Sequence, residues 1–313
     1  MKILIPDDAP FQLQPMEGVE VVPYDPGSLF TDDQLDADAA VVWGLAAPNL
    51  AQLAAAPALR WVQTLAAGPD GVLAAGFGPE VAITSGRGFH DRTVTEHALA
   101  LTLAGLRQIP QALAAQREHR WAGAELGGFR PLHTAHEVTT LIGSKVLIWG
   151  FGSIGQSMAP LFRALGAEVR GVARTPGERA GFEVIAERDL LAALSRTDVL
   201  VMVLPTSEET HHALNAERLS ALPSRAWVVN VGRGTTIDET ALVAALRAGR
   251  LGGAALDVTE VEPLPADSPL WEAPNVIITP HSAGGRPVGA GELVTRNLHA
   301  YLAGRPLENL IQR

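Results

Sequence analysis

Short apolar runs recur along the first third of the chain, and polar or Ala/Leu-rich stretches separate them. The runs that we interpret as strands lie at residues 2–5, 19–22, 39–43, 61–65 and 81–84. Strands that alternate with helices are typical of a parallel sheet on which the helices pack. The pattern therefore predicts a first α/β unit with a doubly wound sheet.

The segment that follows these strands has a helical pattern. Its apolar positions recur at helical spacing and are Leu99, Leu103, Leu106 and Ile109. They predict one long helix over residues 93–117, in which Pro110 introduces a kink because proline lacks a backbone donor. Residues 121–140 have many glycines, histidines and polar residues without a period. They predict an irregular connection.

A second unit begins at Lys145. Residues 146–149 predict a strand, residues 150–155 a glycine turn and residues 156–165 a helix. Further runs of Val, Ile and Leu predict strands at 169–172, 198–203, 226–231, 254–258 and 276–279. Continuously apolar strands of this kind are typical of a parallel sheet that is covered on both faces.

These patterns predict the fold class α/β, with two Rossmann-like, doubly wound parallel-sheet domains and an active-site cleft between them. A chain of 313 residues has the length of two ordinary domains. We expect residues 1–93 plus 286–313 to form a flavodoxin-like, substrate-binding domain, with the predicted last helix at 291–302 folding back onto the first unit. Residues 94–285 are expected to form the dinucleotide-binding domain.

Composition narrows the class of protein. The net charge is -10 and no Lys/Arg run is present, so we expect no nucleic-acid partner. The chain has no cysteine, which excludes disulfides and thiolate metal sites. We find no signal-peptide pattern and no apolar run long enough for a membrane span, and we expect a cytoplasmic protein. His133 and His136 have a metal-like spacing without a third ligand, so no metal is predicted.

The strongest local motif follows the strand at 146–149. The motif is Gly150-Phe151-Gly152-Ser153-Ile154-Gly155. In a strand–turn–helix context the first glycine allows the tight turn, the second lets the backbone approach a pyrophosphate, and the third lets helix and strand pack closely. The N–H groups at the start of the helix bind the phosphates. We therefore predict a nicotinamide dinucleotide cofactor that contacts Gly150, Gly152, Ser153, Ile154 and Gly155.

The end of the next strand bears on the choice between NAD and NADP. NAD-binding proteins carry an acidic residue there that binds the ribose 2′-OH. This chain has Ala173 at that position, followed by Arg174 and Thr175. Because a guanidinium binds phosphate in a bidentate fashion, we predict that NADP is preferred and that NAD is possible.

Three further polar segments follow predicted strands, and they contain Arg233, Glu262 and His281. Ligands bind at the carboxyl ends of the strands in open α/β sheets. Reduction of a 2-keto acid needs a cation for the carboxylate, an acid for the new alkoxide and a group that keeps the acid protonated. Arg233 suits the first role, His281 the second and Glu262 the third.

These segments and the glycine motif resemble the D-isomer-specific 2-hydroxyacid dehydrogenase family over nearly the whole chain. The resemblance implies that Arg233 binds substrate, that His281 is the catalytic acid/base and that Glu262 orients it. It also implies a homodimer and a small 2-keto or 2-hydroxy acid as substrate. The cofactor contacts that it implies are Thr93, Pro205, Thr210 and Asp257, and the substrate contacts are the backbone N–H groups of Ala67 and Gly68.

Some alternatives stay open. Trp43, at the end of a predicted strand, either lines the substrate pocket or simply packs. Glyoxylate and hydroxypyruvate are the expected kind of substrate, while a phosphoglycerate dehydrogenase would use cations such as Arg87 and Arg92 to bind the substrate phosphate. A corepressor-like protein that binds NAD(P) without catalysis is a further alternative.

Overall fold

The computed structural model describes residues 1–313. Its strands are β1 Lys2–Pro6, β2 Glu20–Tyr24, β3 Ala39–Val42, β4 Trp61–Thr64, β5 Ala82–Thr84, β6 Lys145–Trp149, β7 Glu168–Ala173, β8 Gly177–Arg179, β9 Phe182–Ala186, β10 Val199–Met202, β11 Trp227–Asn230, β12 Gly253–Leu256 and β13 Val276–Ile278. Its helices are α1 Asp32–Leu35, α2 Ala47–Ala54, α3 Asp70–Ala74, α4 Asp91–Leu106, α5 Ile109–Arg117, α6 Gly123–Leu126, α7 Ser153–Ala164, α8 Leu190–Leu194, α9 Ala216–Ala221, α10 Glu239–Arg247 and α11 Ala290–Leu302. None of the helices combines the length and the hydropathy that a membrane span requires.

One compact unit consists of Met1–His90 and Arg286–Arg313. Its five strands are all parallel in the order β2-β1-β3-β4-β5, which is the flavodoxin-like order. Successive side chains of a strand point to opposite faces. Ile3 and Leu4 accordingly belong to the two different cores on either side of the sheet. Because both faces of the central strands are buried, the inward residues of β1 and all residues of β3 are apolar.

The end of the chain completes this unit. Val294 and Leu298 of α11 are buried in the same core as Ile3 and Trp61. Beyond α11, the backbone N–H of Ile311 donates to the carbonyl oxygen of Ile83 in β5, at 2.8 Å. The unit is therefore built from two separate stretches of sequence.

The second unit, Asp91–Gly285, contains an eight-stranded sheet in the order β13-β12-β11-β10-β6-β7-β9-β8. All its pairs are parallel except β8 and β9. Two doubly wound parallel sheets confirm the predicted fold class. The β8–β9 hairpin was not predicted, because β8 has the sequence Gly-Glu-Arg and offers no apolar signal.

The predicted single helix over 93–117 is wrong. The structure has two helices, α4 and α5, and between them Gln108 adopts a left-handed φ of 54°. Pro110 lies in the first turn of α5. A proline inside a continuous helix would clash with the carbonyl four residues earlier, whereas the first turn of a new helix accepts it. The chain therefore ends one helix and begins another.

The connection at 121–140 contains the short helix α6 and one isolated bridge between His133 and Val138. The rest of it has no regular structure. Trp121 and Phe129 in this connection are large apolar residues that are almost fully exposed.

Candidate active site

The glycine loop joins β6 to α7 beside β10, where the strand order of the second sheet reverses. Gly150 has a φ of 103°, and a Cβ on it would overlap the carbonyl oxygen of Val203. A Cβ on Gly155 would lie 2.6 Å from the carbonyl oxygen of Gly150. Gly152, in contrast, has no protein atom within 4 Å of its Cβ position. Gly150 and Gly155 are thus required by the turn, whereas Gly152 leaves open space beside the backbone.

The first turn of α7 begins directly after this open space. Gly152 is the N-cap residue, and no side chain bonds to the N–H groups of the first turn, which starts with Ser153 and Ile154. The amino end of a helix carries free N–H donors and a partial positive charge. The loop and the helix end therefore fit a pyrophosphate.

The loop after β7 carries the residues that were predicted to choose between NAD and NADP. Arg174 and Thr175 are exposed there. Arg179 of β8 donates hydrogen bonds to the carbonyl oxygens of Thr175, at 2.6 Å, and of Phe151, at 3.2 Å. One guanidinium thus links this loop to the glycine loop. Arg179 was not among the predicted site residues, because the contact depends on the hairpin.

The loop after β10 contains Pro205 and Thr210, the predicted cofactor contacts. The Thr210 hydroxyl donates to the carbonyl oxygen of Pro205, at 2.7 Å, and accepts from the N–H of Ser207, at 2.8 Å. The two predicted residues are therefore held together in one turn. Thr93, another predicted contact, lies in the first turn of α4.

Asp257 follows β12 and is buried, with an exposure of 1%. Its carboxylate accepts hydrogen bonds from the backbone N–H groups of residues 282–283, at 2.9 and 3.0 Å, and from the Thr279 hydroxyl, at 2.6 Å. His97 of α4 places Nε2 3.1 Å from the same carboxylate. Asp257 therefore fixes the loop that carries His281. This positioning contact was not predicted, since only a cofactor contact was assigned to Asp257.

His281 and Glu262 form a direct pair. Nδ1 of His281 lies 2.7 Å from Oε2 of Glu262, and the other carboxylate oxygen accepts from the N–H of Thr259, at 3.1 Å. His281 has a φ of 51°, a left-handed conformation that is unfavourable for most residues other than glycine. Its backbone N–H donates to the carbonyl oxygen of Asp257, at 2.7 Å, which holds this conformation. Strained backbone of this kind clusters at functional sites.

The pair changes the acidity of both partners. The hydrogen bond to Glu262 raises the pKa of His281 above its ordinary value, although burial acts against it. Burial acts to raise the pKa of Glu262, but the hydrogen bonds from His281 and Thr259 and the nearby positive charges outweigh it, so the pKa is lowered. The imidazolium therefore persists to higher pH than in a free histidine, and it can donate a proton.

Arg233 follows β11, on a turn that Asn230 stabilises. The Asn230 amide donates to the carbonyl oxygen of Arg233, at 3.0 Å, and accepts from the N–H of Gly232, at 3.1 Å. Asn230 is fully buried, so these hydrogen bonds are shielded from water. The positive charge of Arg233 opposes the rise in the pKa of His281 and contributes to the lowered pKa of Glu262, so the three predicted catalytic residues influence one another electrostatically.

A cavity of about 470 Å³ opens beside this cluster. Its lining includes Glu262, Leu264, Trp271 and His281. Its apolar lining also includes Pro263, Ile278 and Pro280.

The remaining predicted residues belong to the unit that contains the amino terminus. Ala67 and Gly68 follow β4, and their backbone N–H groups make no hydrogen bond within the protein, so they are available to an anion. Trp43 follows β3 and stacks on His90, with ring centroids 5.4 Å apart. Trp43 therefore has a packing partner, and one part of the ring is accessible.

Comparison with known proteins places this site in a family. Residues 99–283 match the model of the NAD binding domain of the D-isomer specific 2-hydroxyacid dehydrogenases. A crystal structure of a D-isomer specific 2-hydroxyacid dehydrogenase family protein from Aeromonas salmonicida is 33% identical, covers 99% of this chain and 98% of that chain, and has a TM-score of 0.83. The chain belongs to the D-isomer-specific 2-hydroxyacid dehydrogenase family.

Two further relatives differ in what they act on. The chain is 34% identical over 277 residues to D-3-phosphoglycerate dehydrogenase of Mycobacterium bovis, which covers 86% of this chain and 50% of the relative. The chain thus spans about half the length of the mycobacterial relatives it matches. The NADPH-dependent glyoxylate/hydroxypyruvate reductase of Sinorhizobium meliloti, solved with NADP and sulfate, is 28% identical, with coverage of 99% and 98% and a TM-score of 0.80.

Proposed function

We propose that the protein is an oxidoreductase that reduces a small 2-keto acid, such as glyoxylate or hydroxypyruvate, to the D-2-hydroxy acid with NADPH. The observation that carries this proposal is the 2.7 Å contact between His281 and Glu262 at a strand end, with Arg233 beside it. A proton donor paired with a carboxylate and a neighbouring guanidinium meets the chemical needs of 2-keto acid reduction.

In this proposal each residue has one role. Arg233 binds the substrate carboxylate and polarises the carbonyl group. A bound nicotinamide would supply the hydride. Nε2 of His281 donates the proton to the alkoxide oxygen, while Nδ1 keeps its hydrogen bond to Glu262. The free N–H groups of Ala67 and Gly68 are proposed to bind the substrate carboxylate as well, and Trp43 to contact the substrate.

The cofactor is proposed to bind along the carboxyl edge of the second sheet. The pyrophosphate would contact the open space at Gly152 and the first turn of α7, and the other contacts would come from Pro205, Thr210, Asp257 and Thr93. Arg174 and Thr175 are proposed to bind the 2′-phosphate, since Ala173 places no carboxylate there. The NADP-containing relative supports this preference. NAD would bind without the contacts of Arg174.

We propose that the protein is a homodimer. Trp121 and Phe129 expose large apolar side chains on the connection at 121–140, which supports placing the dimer contact there. A molar mass of two chains in light scattering is expected, and Trp121→Ala together with Phe129→Ala is expected to shift it towards one chain.

The activity is tested by initial rates of NADPH and NADH oxidation with glyoxylate, hydroxypyruvate, pyruvate and phenylpyruvate. We expect turnover with at least one small 2-keto acid and a preference for NADPH. His281→Asn removes the acid but suits the left-handed backbone at this position. It is expected to lower kcat/KM by about 10²- to 10⁴-fold, the usual range for a general acid.

His136→Asn, at an exposed position, is the matched control and is expected to leave the rates unchanged. A protein that binds NADPH but turns over none of the four acids would contradict the proposal.

The mycobacterial relatives favour a second candidate, oxidation of 3-phosphoglycerate. Arg87 and Arg92 are exposed and are the candidate phosphate ligands in that case. Oxidation of 3-phosphoglycerate that is faster than reduction of any of the four acids would select this alternative.

A further inference from the structure

A cluster of two histidines and one glutamate lies outside the residues that the proposed reaction uses. The cluster consists of His211, His212 and Glu260. One ligand-type atom from each residue lies within 4.8 Å of those of the other two. We propose that these three residues form a binding site for a divalent transition-metal cation of the zinc type.

The fold brings the cluster together from two loops at the carboxyl edge of the second sheet. The histidines follow β10 and Glu260 follows β12, and the chain after β11 lies between them. The backbone N–H of His212 donates to the carbonyl oxygen of Thr235, at 2.9 Å. A Cβ on Gly234 would overlap the carbonyl group of Thr259, so the glycine lets the second loop approach closely. These contacts fix the backbone around the cluster.

The side chains are already close to a ligating arrangement. Nε2 of His212 lies 2.6 Å from Oε1 of Glu260, and the two imidazole rings stack with centroids 4.0 Å apart. The backbone of His212 has a left-handed φ of 48°. The backbone N–H of Glu260 donates to the carboxylate of Glu239, at 2.6 Å, and this contact holds in place the residue that supplies the carboxylate ligand.

The chemistry of the ligands selects the cation. Two imidazoles and one carboxylate are a zinc ligand set, and zinc–ligand bonds are about 2.0–2.2 Å long, so atoms within 4.8 Å of one another reach one ion after small side-chain rotations. Imidazole suits zinc, copper and nickel, whereas magnesium and calcium prefer oxygen ligands. His211 is exposed and the side chains of His212 and Glu260 are 36% and 32% exposed, so the ion can enter and can keep water as a further ligand.

A simple hydrogen bond between His212 and Glu260 is the competing explanation. That bond needs neither the carboxylate charge nor the ring of His211. Glu260→Gln keeps an acceptor for His212 but removes the charged oxygen ligand. His211→Ala removes one imidazole and leaves the His212–Glu260 contact in place. Both variants therefore separate a cation site from a hydrogen-bonded pair.

The test is titration calorimetry of the full-length protein, prepared without a polyhistidine tag, with zinc chloride and with magnesium chloride. We expect saturable binding of one zinc ion per chain at this site and no binding of magnesium. Each of His211→Ala, His212→Ala and Glu260→Gln is expected to weaken zinc binding by at least about tenfold, the smallest effect usual for groups that support a metal.

The matched control removes two exposed histidines elsewhere, with His119→Ala and His136→Ala in one chain, and is expected to bind zinc like the parent protein. The thermal unfolding temperature of each variant is measured without zinc, so that a misfolded variant is recognised. Absence of saturable zinc binding in the parent protein overturns the proposal. Binding that Glu260→Gln and His211→Ala leave unchanged, in folded variants, also overturns it.

Discussion

Replacement of Glu262 by glutamine removes the negative charge beside His281 but keeps a hydrogen-bond acceptor of nearly the same shape. If the carboxylate keeps His281 protonated, the variant must lose the proton of His281 at lower pH. The kinetic consequence is a shift of the alkaline limb of the pH profile for 2-keto acid reduction, because reduction needs the protonated histidine.

The size of the shift follows from the geometry. Two unit charges separated by 2.7 Å attract each other by about 1.5 kcal/mol at the dielectric constant of water. This free energy corresponds to about a tenfold change in an equilibrium constant. The water-like limit is appropriate because 47% of the His281 side chain and 34% of the Glu262 side chain are exposed. We therefore expect the pKa of His281 to fall in Glu262→Gln, and the protonated fraction of His281 at alkaline pH to fall by about tenfold.

The assay is kcat/KM for the best 2-keto acid at saturating NADPH between about pH 5 and 10, a range that brackets the ordinary pKa of histidine. At pH values above the alkaline limbs of both the parent and the variant profile, kcat/KM of Glu262→Gln is expected to be about tenfold lower than that of the parent protein. At pH values below both alkaline limbs, the two values of kcat/KM are expected to be similar. Glu217→Gln on α9, an exposed glutamate, is the control for the loss of one negative charge. An alkaline limb that stays in place in Glu262→Gln would refute the reasoning, whatever the change in overall rate.

Three other outcomes follow from the geometry of the site. Arg174→Ala is expected to raise KM for NADPH at least about tenfold, because one charge-assisted contact is lost, and to leave KM for NADH unchanged. An unchanged ratio of the KM values for NADPH and NADH would contradict the proposal that Arg174 binds the 2′-phosphate. Gly152→Ala is expected to abolish cofactor binding and to leave the unfolding temperature unchanged, because its Cβ meets no protein atom. Gly150→Ala is expected to lower the unfolding temperature as well, because its Cβ would overlap the carbonyl oxygen of Val203. Equal unfolding temperatures of the two variants would contradict this explanation. The His281–Glu262 pair stabilises the fold above the unfolded-state pKa of glutamate, since the pKa of Glu262 is lowered, and below that of histidine, since the pKa of His281 is raised. The difference in unfolding temperature between the parent and the His281→Asn variant is thus expected to be largest between these two pKa values and to shrink on either side; a pH-independent difference argues against the pair.

The strands that carry the site were predictable because both faces of each sheet are buried. Val199–Met202 and Trp227–Asn230 are continuously buried, and the polar residue after such a run marks a strand end at the site edge. Arg233 was found in this way. The glycine loop was predictable for a different reason, because Gly150 and Gly155 lie in close backbone contacts that leave no room for a side chain.

The features that were not predicted depend on contacts between segments distant in sequence. Arg179 contacts Phe151 only because the β8–β9 hairpin turns back beside the glycine loop, and β8 is an exposed edge strand without an apolar pattern. The proximity of His212 and Glu260 depends on the conformation of two loops and on Gly234 between them. The left-handed residue Gln108 was missed because its signal, a proline two positions later, was interpreted as a kink.

The position of α11 in the first unit has a consequence for how the protein is made. Strands β1–β5 are synthesised before α11, so their core lacks Val294 and Leu298 until α11 has been synthesised. Asp91–Gly285, in contrast, is one uninterrupted stretch and has all its strands before α11 emerges. Since domains generally fold as units during synthesis, the later-made unit is free to fold first. The core of β1–β5 is therefore completed only after the intervening unit has been synthesised.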